Sequence, residues 1–227
     1  MRPYWLVGKQ RSFPVLKHDT HANVAVIGAG ITGASVCYWL SNKCNVVLLE
    51  KETVAGQASG RNAGFILTGT SDYYNKAIER YGRKKARAIW ELTQLNHDLL
   101  ENHVFNDDDC DHVRSGSYLV ATSEKEMQDL HESVNLLKKD GFRYKLLSEG
   151  EINAALSSRN SSGAAYNAKD GEVNPVKLVE ALVRKAKNSG IRIFEKTRVK
   201  RITPQNGGFR ILTDHATVNS DFVVLAT

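Results

Sequence analysis

The 227-residue sequence is short of cysteine, of long apolar runs and of any repeat, and each shortage removes a class of protein. Cys37, Cys44 and Cys110 have no CxxC spacing and form no even framework, which argues against a disulfide scaffold or a zinc ribbon. They read as small buried or half-buried residues of a chain kept in a reducing compartment, most simply the cytoplasm. No apolar stretch approaches the ~20 residues that cross a bilayer. The first 22 residues lack the apolar core and cleavage site of a signal peptide. With no internal repeat or low-complexity tract, solenoids and disordered chains drop out as well. What remains is a globular protein, 41% apolar and 25% charged, large enough for one large domain or two small ones.

Its most informative stretch is Asn23 to Lys51, NVAVIGAGITGASVCYWLSNKCNVVLLEK. Val24–Ile27 is a short β-branched run, Gly28-Ala29-Gly30-Ile31-Thr32-Gly33 follows at once, and a helical segment extends to about Asn42. A second apolar run, Val46–Leu49, ends on Glu50. Strand, glycine turn, helix, strand and acid in that order form a dinucleotide-binding unit. Gly28 permits the tight turn, Gly30 lets backbone approach a pyrophosphate, and Gly33 lets the helix lie close to the strand. The helix N-terminus offers N–H groups to phosphates, and Glu50 stands where a carboxylate accepts from a ribose diol. The motif leaves FAD and NAD equally open. The net charge of +6 fits solvated helix faces and attraction for a phosphate-bearing ligand. Basic residues such as Arg83, Lys84, Lys85, Arg87, Arg184, Lys185 and Lys187 are dispersed. No interleaving with aromatic residues points to nucleic acid.

Around this unit the pattern predicts an extended arm over residues 1–22, a polar loop from Glu52 to Ser59, and a second glycine cluster, Gly60-Arg61-Asn62-Ala63-Gly64. A short helix runs from about Asp72 to Gly82, and a longer one carries Ala86, Ile89, Trp90, Thr93, His97 and Leu100. Asn106–Asp109 reads as a solvated turn, since the three carboxylates beside Cys110 and His112 lack a calcium-loop spacing. Strands follow at Val113 and Tyr118–Ala121. Ser123 with Glu126, and Ser148 with Glu151, read as capping boxes. Between them lie a helix stopped by Gly141 and a strand, Arg143–Leu147. After a strand at Ala164–Ala168, Asn174-Pro175 opens a helix that Gly190 ends. Strands at Ile191–Phe194, Arg198–Ile202, Phe209–Thr213 and Phe222–Ala226 complete the chain. His97, His103, His112 and His131 read as structural, and no metal site is expected.

Taken together, VAVIGAGITGAS (24–35), VVLLEK (46–51), ASGRNAGF (58–65), GSYLVATSEKE (116–126), DGEVNPVKLVEAL (170–182), GIRIFEKTRVKRI (190–202) and DFVVLAT (221–227) resemble a known family. It is the D-amino-acid oxidase superfamily of FAD-dependent amine and amino-acid oxidoreductases, within it the glycine oxidase and gamma-glutamylputrescine oxidoreductase branch. The resemblance implies an α/β fold: a Rossmann-like FAD-binding domain with a parallel sheet, plus part of an α+β substrate domain. The expected boundaries are 23–72 with 171–227 for the first and 73–170 for the second. It implies FAD held by Gly28, Ala29, Gly30, Thr32 and Gly33 at the pyrophosphate and by Glu50, beside Lys51, at the ribose. Ser59, Arg61, Asn62, Ala63 and Gly64 would run along the flavin side, with Val199 at the adenine and Ala226-Thr227 at a strand end near the cofactor. Relatives often carry glycine where Ala63 stands.

The implied reaction is oxidation of the C–N bond of a small amine or amino acid by hydride transfer to flavin N5. The family pattern continues past Thr227 for roughly as many residues again, so the sequence reads as an N-terminal half. Catalytic residues are not identifiable in it. Two other readings follow: an FAD-binding half that is not catalytic without a second polypeptide, and a tRNA-modifying flavoprotein, against which the dispersed charge argues.

Overall fold

The computed structural model describes residues 3–7, 12–157 and 160–227; residues 1–2 and 8–11 of the expected arm lie outside that set. The chain forms two compact units, one of residues 1–63, 108–110 and 174–227, the other of 64–107 and 111–173.

The first unit begins with the arm. Its residues 12–18 are held by buried groups: Glu195 accepts from the Phe13 N–H (2.8 Å), the Leu16 N–H donates to Thr197 Oγ1 (3.1 Å), and the Glu195 N–H donates to the Pro14 carbonyl (3.1 Å). Next come β1 (Thr20–Ile27), α1 (Ile31–Leu40) and β2 (Val46–Leu49). Every residue of β2 is buried, as a strand covered on both faces requires. Cys37 lies in α1, and burial pushes its thiol up to about 12, which leaves it unionised and inert at neutral pH. No disulfide joins the three cysteines.

The second unit opens with a two-residue strand, β3 (Phe65–Ile66). It continues through α2 (Tyr74–Tyr81), α3 (Arg83–Leu100), a π-helical turn at Glu101–Phe105, β4 (Ser117–Ala121), α4 (Glu124–Lys139), β5 (Lys145–Ser148), α5 (Glu149–Leu156), β6 (Gly163–Asn167) and β7 (Gly171–Glu172). β4, β6 and β5 form an antiparallel sheet in that order, and β3 pairs with β7. Tyr74, Ala77, Ala86, Trp90, Leu137 and Phe142 pack as one core cluster, with Tyr74 edge-on to Trp90 at 4.8 Å between ring centres. The Tyr74 hydroxyl donates to Asp140 (2.6 Å), which also takes a forked pair from Arg83.

The chain returns to the first unit through α6 (Pro175–Asn188), β8 (Arg192–Phe194), β9 (Val199–Gln205), β10 (Gly208–Thr213) and β11 (Thr217–Leu225). Asn174 caps α6 by accepting from the Val176 and Lys177 N–H groups, with Pro175 at the first helical position. The sheet order is β8-β2-β1-β11-β10-β9. The first four strands are parallel, and β10 and β9 extend them as an antiparallel meander. The architecture is thus α/β, with a mixed rather than wholly parallel sheet.

Three sequence expectations need correction. The turn at Asn106–Asp109 is solvated at Asn106, Asp107 and Asp109 but not at Asp108, which is largely buried and pairs with Arg184 and Lys185 of α6. Its charge is needed there because α6 presents two cations within one turn. Ser123 accepts from the Glu126 N–H, but the Glu126 carboxylate reaches back to Thr122 instead of closing a capping box. The box at Ser148 and Glu151 does close. β11 starts five residues earlier than its apolar run, because the polar stretch Thr217–Asp221 joins the backbone ladders of β1 and β10, with Asp221 also accepting from the Asn23 side chain of β1 (2.8 Å).

Candidate functional site

The turn after β1 is built from backbone contacts that only glycine allows. Gly28 sits at φ +103°, and a Cβ there would lie 2.5 Å from the Ala226 carbonyl oxygen. β11 approaches this closely because the Ala226 N–H donates to the Ile27 carbonyl (2.8 Å). A Cβ on Gly33 would lie 1.9 Å from the Gly28 carbonyl oxygen, so α1 rests directly on the turn. Gly30 differs from expectation in one respect: its missing side chain would meet Ser59 Oγ, at 2.8 Å. That hydroxyl accepts from the Ile31 N–H (2.9 Å), tying the loop after β2 to the start of α1.

Glu50 is buried at the end of β2. One carboxylate oxygen accepts from the Ala29 N–H and the other from the Glu52 N–H, both at 2.8 Å. Two fixed donors orient the group, and a carboxylate has about four lone-pair positions, so capacity for further donors remains. Backbone bonds past the strand ends then bring Thr197 alongside: the Glu50 N–H donates to Phe194 and the Thr197 N–H to Glu50. Lys196 turns at φ +50° between them.

Together these segments enclose a cavity of ≈ 430 Å³, within the range of about 300–1,000 Å³ usual for small-molecule sites. Gly28, Ala29, Gly30, Thr32, Glu50, Lys51, Ser59, Val199, Ala226 and Thr227 line it, all of them expected from sequence. Gly33 lies beneath the turn. Arg61, Asn62 and Ala63 are exposed and do not line the cavity. The Arg61 Nε donates to the Gly56 carbonyl (3.1 Å), and Asn62 donates to Ser59 while its own carbonyl accepts from Trp5. Gly64 belongs to the second unit, where its carbonyl accepts from the Val173 N–H. Sequence reasoning passed over Thr53, Gly56, Gln57, Thr197 and Arg198, which also line it. Of these only Arg198, an exposed cation one residue before Val199, carried a readable signal.

The donor set suits the nucleotide end of a dinucleotide. The cavity sets a helix N-terminus and the cations of Lys51 and Arg198 near one another for phosphates, with a pinned carboxylate for a diol. In the second unit a separate cavity of ≈ 410 Å³ is lined mainly by apolar and aromatic side chains, among them Phe65, Tyr73, Trp90, Tyr118 and Tyr144. Asp170 on its wall is buried and saturated by Thr68, Ser117 and Asn167, so it serves as a structural anchor.

A β-α-β unit with a glycine turn, an acid at the second strand end and a returning strand across the turn defines a dinucleotide-binding fold. The chain belongs to the FAD dependent oxidoreductase (DAO) family, which it matches over residues 23–227. It is 28% identical over 234 residues to a probable oxidoreductase, OrdL, of Haemophilus influenzae, covering 100% of this chain and 54% of that one. To gamma-glutamylputrescine oxidoreductase of Escherichia coli it is 25% identical, covering 96% and 51%. The crystal structure of glycine oxidase from Geobacillus kaustophilus superposes with a TM-score of 0.74 at 26% identity, over 91% of this chain and 55% of that one. The chain thus spans about half the length of the relatives it matches.

Proposed function

We propose that the cavity at the Gly28–Gly33 turn binds FAD and that the chain takes part in oxidising the C–N bond of an amine or amino acid. The observation that carries this reading is the Glu50 carboxylate, buried and oriented by two backbone donors at the mouth of a helix N-terminus. In it Glu50 accepts from the adenosine ribose, the Val199 backbone contacts the adenine, and the first turn of α1 with Lys51 and Arg198 neutralises the pyrophosphate. Ser59 positions the Ile31 N–H at the same helix end. Arg61, Asn62, Ala63 and Gly64 are assigned to the flavin side from the family resemblance. Bound FAD supplies the hydride acceptor; the chain contributes binding, orientation and charge.

A second reading has one observation in its favour, the half-length match to relatives: the chain holds FAD, and turnover needs residues it does not contain. Both readings are tested by reconstituting the purified chain with FAD, removing excess ligand, and recording absorbance at about 450 nm. Retained flavin that bleaches anaerobically with an amine substrate supports catalysis by this chain. Retained flavin that stays oxidised supports the second reading. A colourless protein refutes both.

A further inference from the structure

The second unit contains a cluster outside the nucleotide cavity. His97, buried on α3, and His112, half-buried, bring their Nε2 atoms to 2.9 Å, and one ligand atom from each of His97, Glu101 and His112 lies within 4.8 Å of the other two. Glu101 follows His97 by four residues, which places both on one face where α3 passes into the π-helical turn. Each imidazole is oriented by something other than its neighbour. The Lys169 backbone carbonyl accepts a hydrogen bond from His97; with Nε2 turned to His112, the donor is Nδ1, and the His97 Nε2 carries a lone pair. The Phe105 ring stacks on His112 at 4.0 Å and 14°.

We propose that His97, Glu101 and His112 form a binding site for a first-row divalent transition-metal ion. At imidazole–metal bonds of about 2.0–2.1 Å, nitrogens 2.9 Å apart subtend about 90° at the ion. That is the angle between neighbouring ligands in octahedral two-histidine, one-carboxylate sites, which leave positions open for water or an added ligand. The backbone carbonyl behind His97 is the outer support such ligands usually have. The charged groups facing the cluster are Glu101, Asp98 and Arg114. Arg114 places Nε 2.8 Å from one Glu101 oxygen and Nη2 3.0 Å from Asp98, so the surroundings carry one more negative charge than positive. Burial above all, together with the Arg114 charge and against the opposing pull of Glu101, lowers both imidazoles from their ordinary range. The partial exposure of His112 and Glu101 gives an ion a way in.

The test is equilibrium dialysis of the untagged, chelator-treated full chain against Co²⁺ and, separately, Zn²⁺, with bound metal counted by atomic emission. The expected result is one ion per chain. Affinity should fall at least about tenfold in His112→Gln and in Glu101→Gln and stay unchanged in His131→Gln, an exposed histidine elsewhere. Far-UV circular dichroism identifies folded variants; if His112→Gln unfolds, Glu101→Gln decides. Absence of uptake by the unsubstituted chain overturns the proposal and leaves a His–His hydrogen bond. So does uptake that Glu101→Gln leaves unaltered. FAD plays no part in the measurement, so its outcome is independent of the cofactor reading.

Discussion

The contacts around the glycine turn predict different costs for two substitutions of the same kind. In Gly33→Ala the new methyl would start 1.9 Å from the Gly28 carbonyl oxygen, a backbone atom, and real contacts essentially never fall below 3.0 Å. Helix α1 would therefore have to lift by more than about 1 Å, an overpacking cost of about 3 kcal/mol or somewhat more. Alanine returns about 1 kcal/mol through helix propensity, leaving a net loss of about 2–3 kcal/mol. In Gly30→Ala the backbone, at φ −80°, accepts alanine without strain, and the methyl meets only the Ser59 hydroxyl. Turning that hydroxyl aside breaks the Ile31–Ser59 hydrogen bond, worth about 1 kcal/mol. Ser59→Ala removes the same bond and the obstacle, so Gly30→Ala should cost less in that background, with a coupling of about 0.5–1 kcal/mol. Urea unfolding followed by circular dichroism gives all four quantities. Equal costs for Gly30→Ala and Gly33→Ala, or strictly additive Gly30→Ala and Ser59→Ala, would refute the contact geometry.

Two further outcomes follow. Glu195→Gln sets an amide donor against either the Phe13 or the Val54 N–H, now held at 2.8 and 2.7 Å, and should destabilise the chain by about 1–3 kcal/mol in urea titrations. An unchanged midpoint would show that the arm is not clamped there. Asp140 is held below the ordinary carboxylate range, first by its hydrogen bonds from Arg83. A depressed folded-state value contributes stability above about pH 4, where the unfolded carboxyl is ionised, and that stability is lost as pH falls through the folded value. Thermal midpoints should therefore drop more steeply on acidification for the wild type than for Asp140→Asn; parallel profiles would contradict the assignment.

Much of this was legible in the sequence because the signals were local. The strand–glycine–helix–strand–acid series from Val24 to Glu50 needs no distant partner to be recognised, and ten of the fifteen expected site residues line one cavity. The Asn174-Pro175 start of α6 is equally self-contained. What escaped depended on tertiary context. β3 and β7 are two residues each and form through pairing with each other, β7 also bridging Val113. The π-helical turn after Leu100 leaves no mark on apolar periodicity, and Asp108 looked solvated because its cations lie some 75 positions later on α6. Thr53 and Thr197 line the cavity because the chain folds them beside the turn, which composition does not report. His97 and His112 read as separate structural residues because 15 positions of chain conceal a 2.9 Å approach.

The functional reading stands or falls on FAD binding in the cavity that Glu50, Lys51 and Arg198 line. Equilibrium titration of the full chain with FAD, for the wild type and for Lys51→Ala and Arg198→Ala, tests it most directly. Both cations are exposed, so the variants should fold as the parent does. The prediction is saturable binding of one FAD per chain, weakened severalfold by each substitution, with a smaller dependence on salt in the variants. Absence of saturable binding, or variants that match the wild type at every salt concentration, would contradict it.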